Sequence, residues 1–246
     1  MKTHLVAVTL ALVSFASGAS AQSGGHVRVS VERAFGFSYN SITRSYESTT
    51  GTVTVTQEST ATVTSLNLFG AGFSSVAPES GLVFGGQVPR FAIDYELSSH
   101  LTFGAAAFVS WNSIATAGGS ELSGFGFGLA PRVGYTLGLT DRLSFWPRAG
   151  VTLAYMSASP DSSPGTVSVT SKVTYVPLWV NVEPMLVYTV DPHFSFTLGL
   201  VLDLPLLGAV TSTTRTTVGS VSTERTSESS VTQLIVAAQI GVMGRF

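Results

Sequence analysis

Catalysis by a serine would require a base within hydrogen-bond reach and an acid to orient that base. In this sequence of 246 residues the base would have to be one of four histidines, His4, His26, His100 and His193. Serines are abundant but lie almost entirely in polar connecting stretches, with no base and acid grouped around any of them. There is no cysteine, so a disulfide framework and a thiolate metal site are both excluded. No two histidines stand at metal-ligand spacing. The run "GFGFG" at Gly124–Gly128 alternates small and large residues, the habit of a strand and not of a phosphate-binding loop. No catalytic residue, cofactor or metal site is expected.

What is left is a set of arginines and carboxylates planted singly in apolar runs. Three runs, "VPRFAIDY", "APRVGY" and "FWPRAG", carry the pairs Pro89–Arg90, Pro131–Arg132 and Pro147–Arg148. In a helix such an interruption would be a defect, so its meaning depends on the elements that carry it. Hydrophobic residues make up 44% and charged residues 11%, and the mean hydropathy is +0.38. That balance suits a membrane. Yet beyond the N-terminus no run approaches the ~20 apolar residues of a spanning helix. Phe196–Val210 and Leu234–Met243 are too short, and the first contains Asp203 and Pro205.

The N-terminus reads as a secretory signal peptide. Lys2 is followed by an apolar core over Leu5–Val13 and by Ala19-Ser20-Ala21 ahead of Gln22. Residues 1–21 are therefore set apart, and residues 22–246 form a single domain. Without Lys2 the balance is 11 Lys+Arg against 14 Asp+Glu, a net of −3. Nothing in it points to nucleic acid.

The C-terminal run "SVTQLIVAAQIGVMGRF" alternates with period two. One face, Leu234 through Phe246 by twos, is wholly apolar; the other is mixed and holds Gln233, Gln239 and Arg245. Such a strand suits lipid on one side and a polar lumen on the other. Seven more segments of this kind are predicted: Val27–Tyr39, Pro89–Leu97, Leu101–Trp111, Phe125–Leu137, Leu143–Tyr155, Val176–Val190 and Phe194–Leu206. Short turns at Ser98–His100, Gly138–Asp141 and Asp191–His193 join them at one end. Long Ser/Thr-rich stretches near 40–87, 112–123, 157–172 and 208–230 join them at the other. The fold expected is all-β: a closed antiparallel transmembrane barrel of eight strands with long extracellular loops. Residues 40–87 could add two strands to make ten, form a hairpin above the membrane, or fold into the lumen. The polar alternating stretches "TVTVT" (Thr52–Thr56), "TVSVTSKVTYV" (Thr166–Val176) and "TTVGSVSTERTSESS" (Thr216–Ser230) are expected to prolong the wall as hairpins. Aromatics band at both interfaces, Tyr95, Phe103, Tyr135, Phe145, Tyr188, Phe194 and Phe246 on the turn side, Phe37, Tyr39, Trp111, Phe125 and Tyr155 on the loop side.

On these registers the charges have one destination. Arg28, Glu32, Arg90, Asp94, Glu96, Arg132, Arg148, Glu183, Asp203 and Arg245 all take the lumen parity. Arg33 alone faces outward, unless a bulge turns it. A barrel of eight strands is only about wide enough for side chains to fill, so the charges should pair into a network that plugs it. In each Pro-Arg pair the proline faces lipid and the arginine the lumen. Because proline cannot donate to the ladder, all three are expected at bulges or near an interface. Centring the hairpin on Gly138–Asp141 puts Arg132 opposite Arg148, with Asp94, Glu96 or Glu183 to separate them and Trp146 to stack on Arg148.

The blocks "ERAFGF" (Glu32–Phe37) and "APRVGYTLGLTDRLSFWPRAG" (Ala130–Gly150), with the terminal Phe246, resemble small bacterial outer-membrane barrels of the OmpA, OmpX and OmpW type. The resemblance covers most strands and not the loops. It implies location in the bacterial outer membrane and contact with its lipids and lipopolysaccharide. It also implies that Phe246 serves as a signal to the barrel-insertion machinery. It implies no activity, since one barrel serves many roles. A structural or surface-interaction role is expected, with protein partners possible at the loops. The rivals are an OmpW-like conduit for small or hydrophobic molecules, with the Gly-rich 71–87 region at its entrance, and an outer-leaflet lipid-modifying enzyme. The histidines speak against the last, because His100 and His193 fall in the turns at the opposite end.

Overall fold

Alternation of lumen-facing and lipid-facing side chains is what this sequence imposes on every strand. In the computed structural model, residues 25–50, 53–68, 71–74, 88–97, 100–115, 121–162 and 167–246 are described. The expected signal peptide lies outside them. Strand β4 (Arg90–Glu96) shows the rule: Arg90, Ala92, Asp94 and Glu96 are buried while Phe91, Ile93 and Tyr95 face outward. The other strands are β1 (His26–Thr50), β2 (Val53–Leu68), β3 (Ala71–Ser74), β5 (Leu101–Ala115), β6 (Glu121–Tyr135) and β7 (Leu137–Gly138). They continue as β8 (Leu143–Ser162), β9 (Val167–Asp191), β10 (Phe194–Val218) and β11 (Val221–Arg245). Pairing is antiparallel throughout, and β1, β4, β5, β6, β8, β9, β10 and β11 form a ring of eight closed by β11 on β1.

Within 40–87 the described residues join the wall without adding to the ring. β1 pairs with β4 through His26–Glu32 and with β2 through Phe35–Thr50. β2 and β4 therefore fill one wall position end to end, and β3 adds to β2 at Ser65–Leu68. Residues 75–87, the core of the supposed entrance, lie outside the described residues. The other outer stretches are likewise wall, with strands running through most of 157–172 and 208–230. Four strands reach 25 residues. At about 3.3 Å per residue and a tilt of about 45°, such a strand rises about 60 Å, against an apolar band of about 25 Å. The aromatics mark that band: Tyr95 pairs with Phe103, Phe196 with Tyr188 and Trp111 with Phe125, and Phe127 stacks on Tyr155 at 5.5 Å.

Two irregularities matter. In β1 the register to β11 shifts between Val31 and Phe35, so that Glu32, Arg33 and Ala34, all buried, crowd opposite Gly241. Arg33 has φ 55 there, an uncommon conformation for a residue with a side chain. In β10 a second shift lies between Pro205 and Leu207. For the Pro-Arg prolines the expectation of bulges is corrected here. Pro89 stands just before β4, but Pro131 and Pro147 are not at bulges. The β6–β8 register skips 130–131 against 151–152 and resumes unchanged after Arg132 pairs with Gly150. It breaks again beside Pro147, which lies across from Pro184 in the β8–β9 pairing. A strand residue points its N–H to one neighbour only, so each proline interrupts one ladder and leaves the other intact.

If the apolar band is placed correctly, Leu200→Arg, at the middle of the outward row of β10, destabilises the barrel by about 2–4 kcal/mol. Thr226→Arg, on the projecting part of β11, changes stability by no more than about 0.5 kcal/mol. Urea unfolding in lipid vesicles reads both, and equal effects would show that the band lies elsewhere.

Candidate functional site in the lumen

Small residues on the inner face of β6 make room for a filled interior. A Cβ at Gly128 would strike the Phe108 ring, and one at Gly134 would press on Trp146 and Thr102. Into this space the lumen parity sends its arginines and carboxylates. Nine of the ten predicted luminal charges are buried, and Arg245 keeps its side chain 43% exposed at the mouth.

The centre of the lumen holds four guanidinium groups, Arg33, Arg90, Arg132 and Arg148, against four carboxylates, Glu32, Asp94, Glu183 and Asp203. Arg132 is gripped from two sides. Its Nε and Nη2 donate to Asp94 at 2.9 and 2.5 Å, and its Nη1 and Nη2 donate to Glu32 at 2.7 and 2.8 Å. Glu32 also accepts from Arg148 at 2.5 Å and from the Ser30 hydroxyl at 3.0 Å. Arg148 reaches on to Glu183 at 2.5 Å. Forked, charge-assisted contacts of this kind are the strongest hydrogen bonds available to side chains. Arg33 closes the circuit, donating to both oxygens of Asp203 at 3.2 and 3.3 Å and to Glu183 at 3.3 Å. Two uncharged residues extend it: Thr152 donates to Asn181 Oδ1, and Asn181 Nδ2 to Asp203, both at 2.6 Å. Arg90 donates to Thr152 at 3.3 Å and lies 3.8 Å from Asp203. A cavity of about 10 Å³, bordered by Arg90, Arg148, Asn181 and Glu183, has room for about one water molecule.

One sequence expectation needs correction, and the condition attached to another is met. Arg132 does not face Arg148, because the hairpin is centred one residue later: Gly134 pairs with Arg148 and Leu137 with Phe145. The cause is Thr140, whose hydroxyl accepts from the Leu143 amide at 3.0 Å and draws the reversal to 139–142. Glu183, one of the three carboxylates expected between the two arginines, contacts both, at 3.8 Å from Arg132 and 2.5 Å from Arg148, and Glu32, which was not expected there, contacts both as well. Arg33, outward by parity unless a bulge turns it, is turned inward by one: it is 1% exposed and central to the network. The bulge is the cause, since it turns three successive side chains inward. Trp146 is wholly buried, with Arg148 at 4.5 Å and Arg28 at 4.7 Å from its ring centroid, and its Nε1 donates to Thr102 at 2.9 Å. Glu96 and Arg28 belong to a second group at the turn-side mouth, 2.6 Å apart, joined by Arg245.

Outward of the charges lies an apolar layer that includes Ile42, Phe108, Met156, Tyr175, Trp179 and Val231. Tyr175 and Trp179 meet edge to face at 6.3 Å, and Trp179 Nε1 donates to the Gln233 carbonyl at 2.9 Å. Water or an ion crossing the lumen would meet an ionic lattice and then this layer. Among the described residues no group of three or more His, Asp or Glu could hold a metal ion.

This ring of eight antiparallel strands, apolar outside and ion-paired within, is an outer-membrane type of β-barrel. A major outer membrane protein from Thermus thermophilus has the same fold, with a TM-score of 0.51 at 12% identity over 89% of this chain and 99% of that one. The outer membrane protease OmpT from Escherichia coli gives 0.41 at 11% identity, over 91% and 97%. The attachment invasion locus protein Ail of Yersinia pestis, in complex with the heparin analogue sucrose octasulfate, gives 0.39 at 10%, over 91% and 99%. The first likeness is one of fold, and the other two are too loose to support more. No family model matches the chain, and no curated protein matches it.

Glu32 holds two arginines, so Glu32→Ala should destabilise the barrel by about 3–5 kcal/mol, the cost of stranding a buried partner charge. Arg148→Ala should lower the melting temperature in detergent for the same reason. An unchanged melt for Arg148→Ala would rule out a shared network.

Proposed function

We propose that the protein is a non-catalytic barrel of the bacterial outer membrane, exported with a cleaved signal peptide, with a structural or surface-interaction role. The observation that carries this reading is the filled lumen: four arginines and four carboxylates lock across six strands, and an apolar layer covers them. A lumen so packed is a poor conduit, which favours the plug over the OmpW-like alternative. The histidines support the absence of catalysis, for His26, His100 and His193 all lie at the turn-side ends of their strands. A hydrolytic base at the outer rim would have to come from another residue type. The surface that is left for interaction is the projecting wall. Its outward residues are largely Thr and Ser, tied laterally as in Thr43 with Thr60 at 3.1 Å and Thr213 with Thr226 at 3.3 Å. Lipid and lipopolysaccharide would surround the band below, and protein partners would meet this hydroxyl-rich wall.

Planar-bilayer recording tests the closed lumen. Wild-type protein should give no discrete conductance steps, whereas combining Arg148→Ala with Phe108→Ala should admit ions. Discrete steps from the wild type would favour the conduit. Unaltered lipid A in mass spectra of cells with and without the protein is the outcome expected if no lipid chemistry takes place.

A further inference from the structure

β1 and β11 are the first and last strands of the ring, and their pairing converts a sheet into a closed barrel. That pairing sets Arg28 directly opposite Arg245. Like charges opposite each other across a strand pair are destabilising. Arg28 is not free to withdraw. It is 4% exposed, its Nη2 donates to Thr136 Oγ1 at 3.0 Å, and its guanidinium sits 4.7 Å from the Trp146 ring centroid. The compensating charge comes from neither seam strand. Glu96, the last residue of β4, pairs with His26 on the other side of β1 and reaches past it. Its Oε2 lies 2.6 Å from Arg28 Nη2 and 3.4 Å from Arg245 Nη2. Beside this contact Val27 and Phe246 exchange backbone hydrogen bonds of 3.0 and 2.9 Å.

We propose that Glu96 is an ionic latch for barrel closure, a positioning residue that makes the β1–β11 seam favourable only when β4, β1 and β11 stand side by side. In an open sheet Arg245 has no such partner. In a seam slipped by one residue Arg245 would turn to the lipid face, out of reach of Glu96. The latch thus selects both closure and register. Its charge is not interchangeable with the central network, whose four carboxylates are occupied by other arginines. Arg245 is 43% exposed, so the repulsion that Glu96 offsets is open to screening by salt.

Refolding from urea into lipid vesicles, followed by heat-modifiable gel mobility, tests the latch with Glu96→Gln, Arg245→Gln and the double variant. Glu96→Gln should fold several-fold more slowly than wild type at low ionic strength, with the gap narrowing in high salt. Arg245→Gln alone should fold as wild type does, and adding it to Glu96→Gln should restore the rate. A wild-type rate for Glu96→Gln, or a double variant no faster than Glu96→Gln, would overturn the proposal. If Glu96→Gln does not fold at all, the double variant decides: recovery supports the latch, and continued failure refutes it.

Discussion

An arginine inside a barrel of eight strands can place its charge only on a carboxylate carried by another strand. Water is largely absent from so narrow a lumen, and lipid waits on the other face at a cost of about 2–4 kcal/mol. From that constraint follow the central contacts, which, Arg148 to Glu183 on the neighbouring β9 apart, tie strands that are not paired in the wall. Glu32 on β1 joins β6 and β8, Arg132 on β6 joins β4, and Arg33 on β1 joins β9 and β10. The ions are thereby cross-braces on a wall whose own hydrogen bonds connect neighbours alone. Buried ion pairs are weak evidence for stability in themselves. Here their effect is on which arrangement of strands can exist.

The backbone bends to serve this bracing. Arg33 takes a left-handed conformation at a bulge opposite Gly241, and the same bulge marks where β1 leaves β4 and begins to pair with β2. Glycines on the inner face of β6 leave room for Phe108, Met156 and Trp146. The Pro-Arg pairs fit the same logic. A proline facing lipid gives up one ladder contact, while the next residue contributes a fixed guanidinium to the interior.

How much of this was legible in the sequence follows from which forces are local. Inward and outward parity is local, since it needs only period two and the exclusion of charge from lipid. Ten luminal residues were found from it. The partners of those residues were not legible, because they depend on the stagger between strands, which a single turn can move. Thr140 shifted one hairpin by capturing the Leu143 amide, and that was enough to separate Arg132 from Arg148. Parity alone puts Arg33 outward; the bulge that turns it inward breaks parity, and its trace in sequence is three successive residues, Glu32-Arg33-Ala34, of which two are charged. Above the membrane, water wets the outer face and hydroxyls line both, so composition ceases to separate wall from loop. What still marks wall there is the period-two alternation of stretches such as Thr166–Val176 and Thr216–Ser230, through which β9, β10 and β11 run among the described residues.

The divided wall position of β2 and β4 has a consequence for how such a chain can change. Its two halves are each held by β1, one on either side of the bulge, and neither depends on the other for its register. The ring of eight thus passes through this position in two pieces, both held in place by β1. Most insertions into a membrane wall would break a ladder. Here the wall has a built-in joint, at which each half keeps its own ladder to β1.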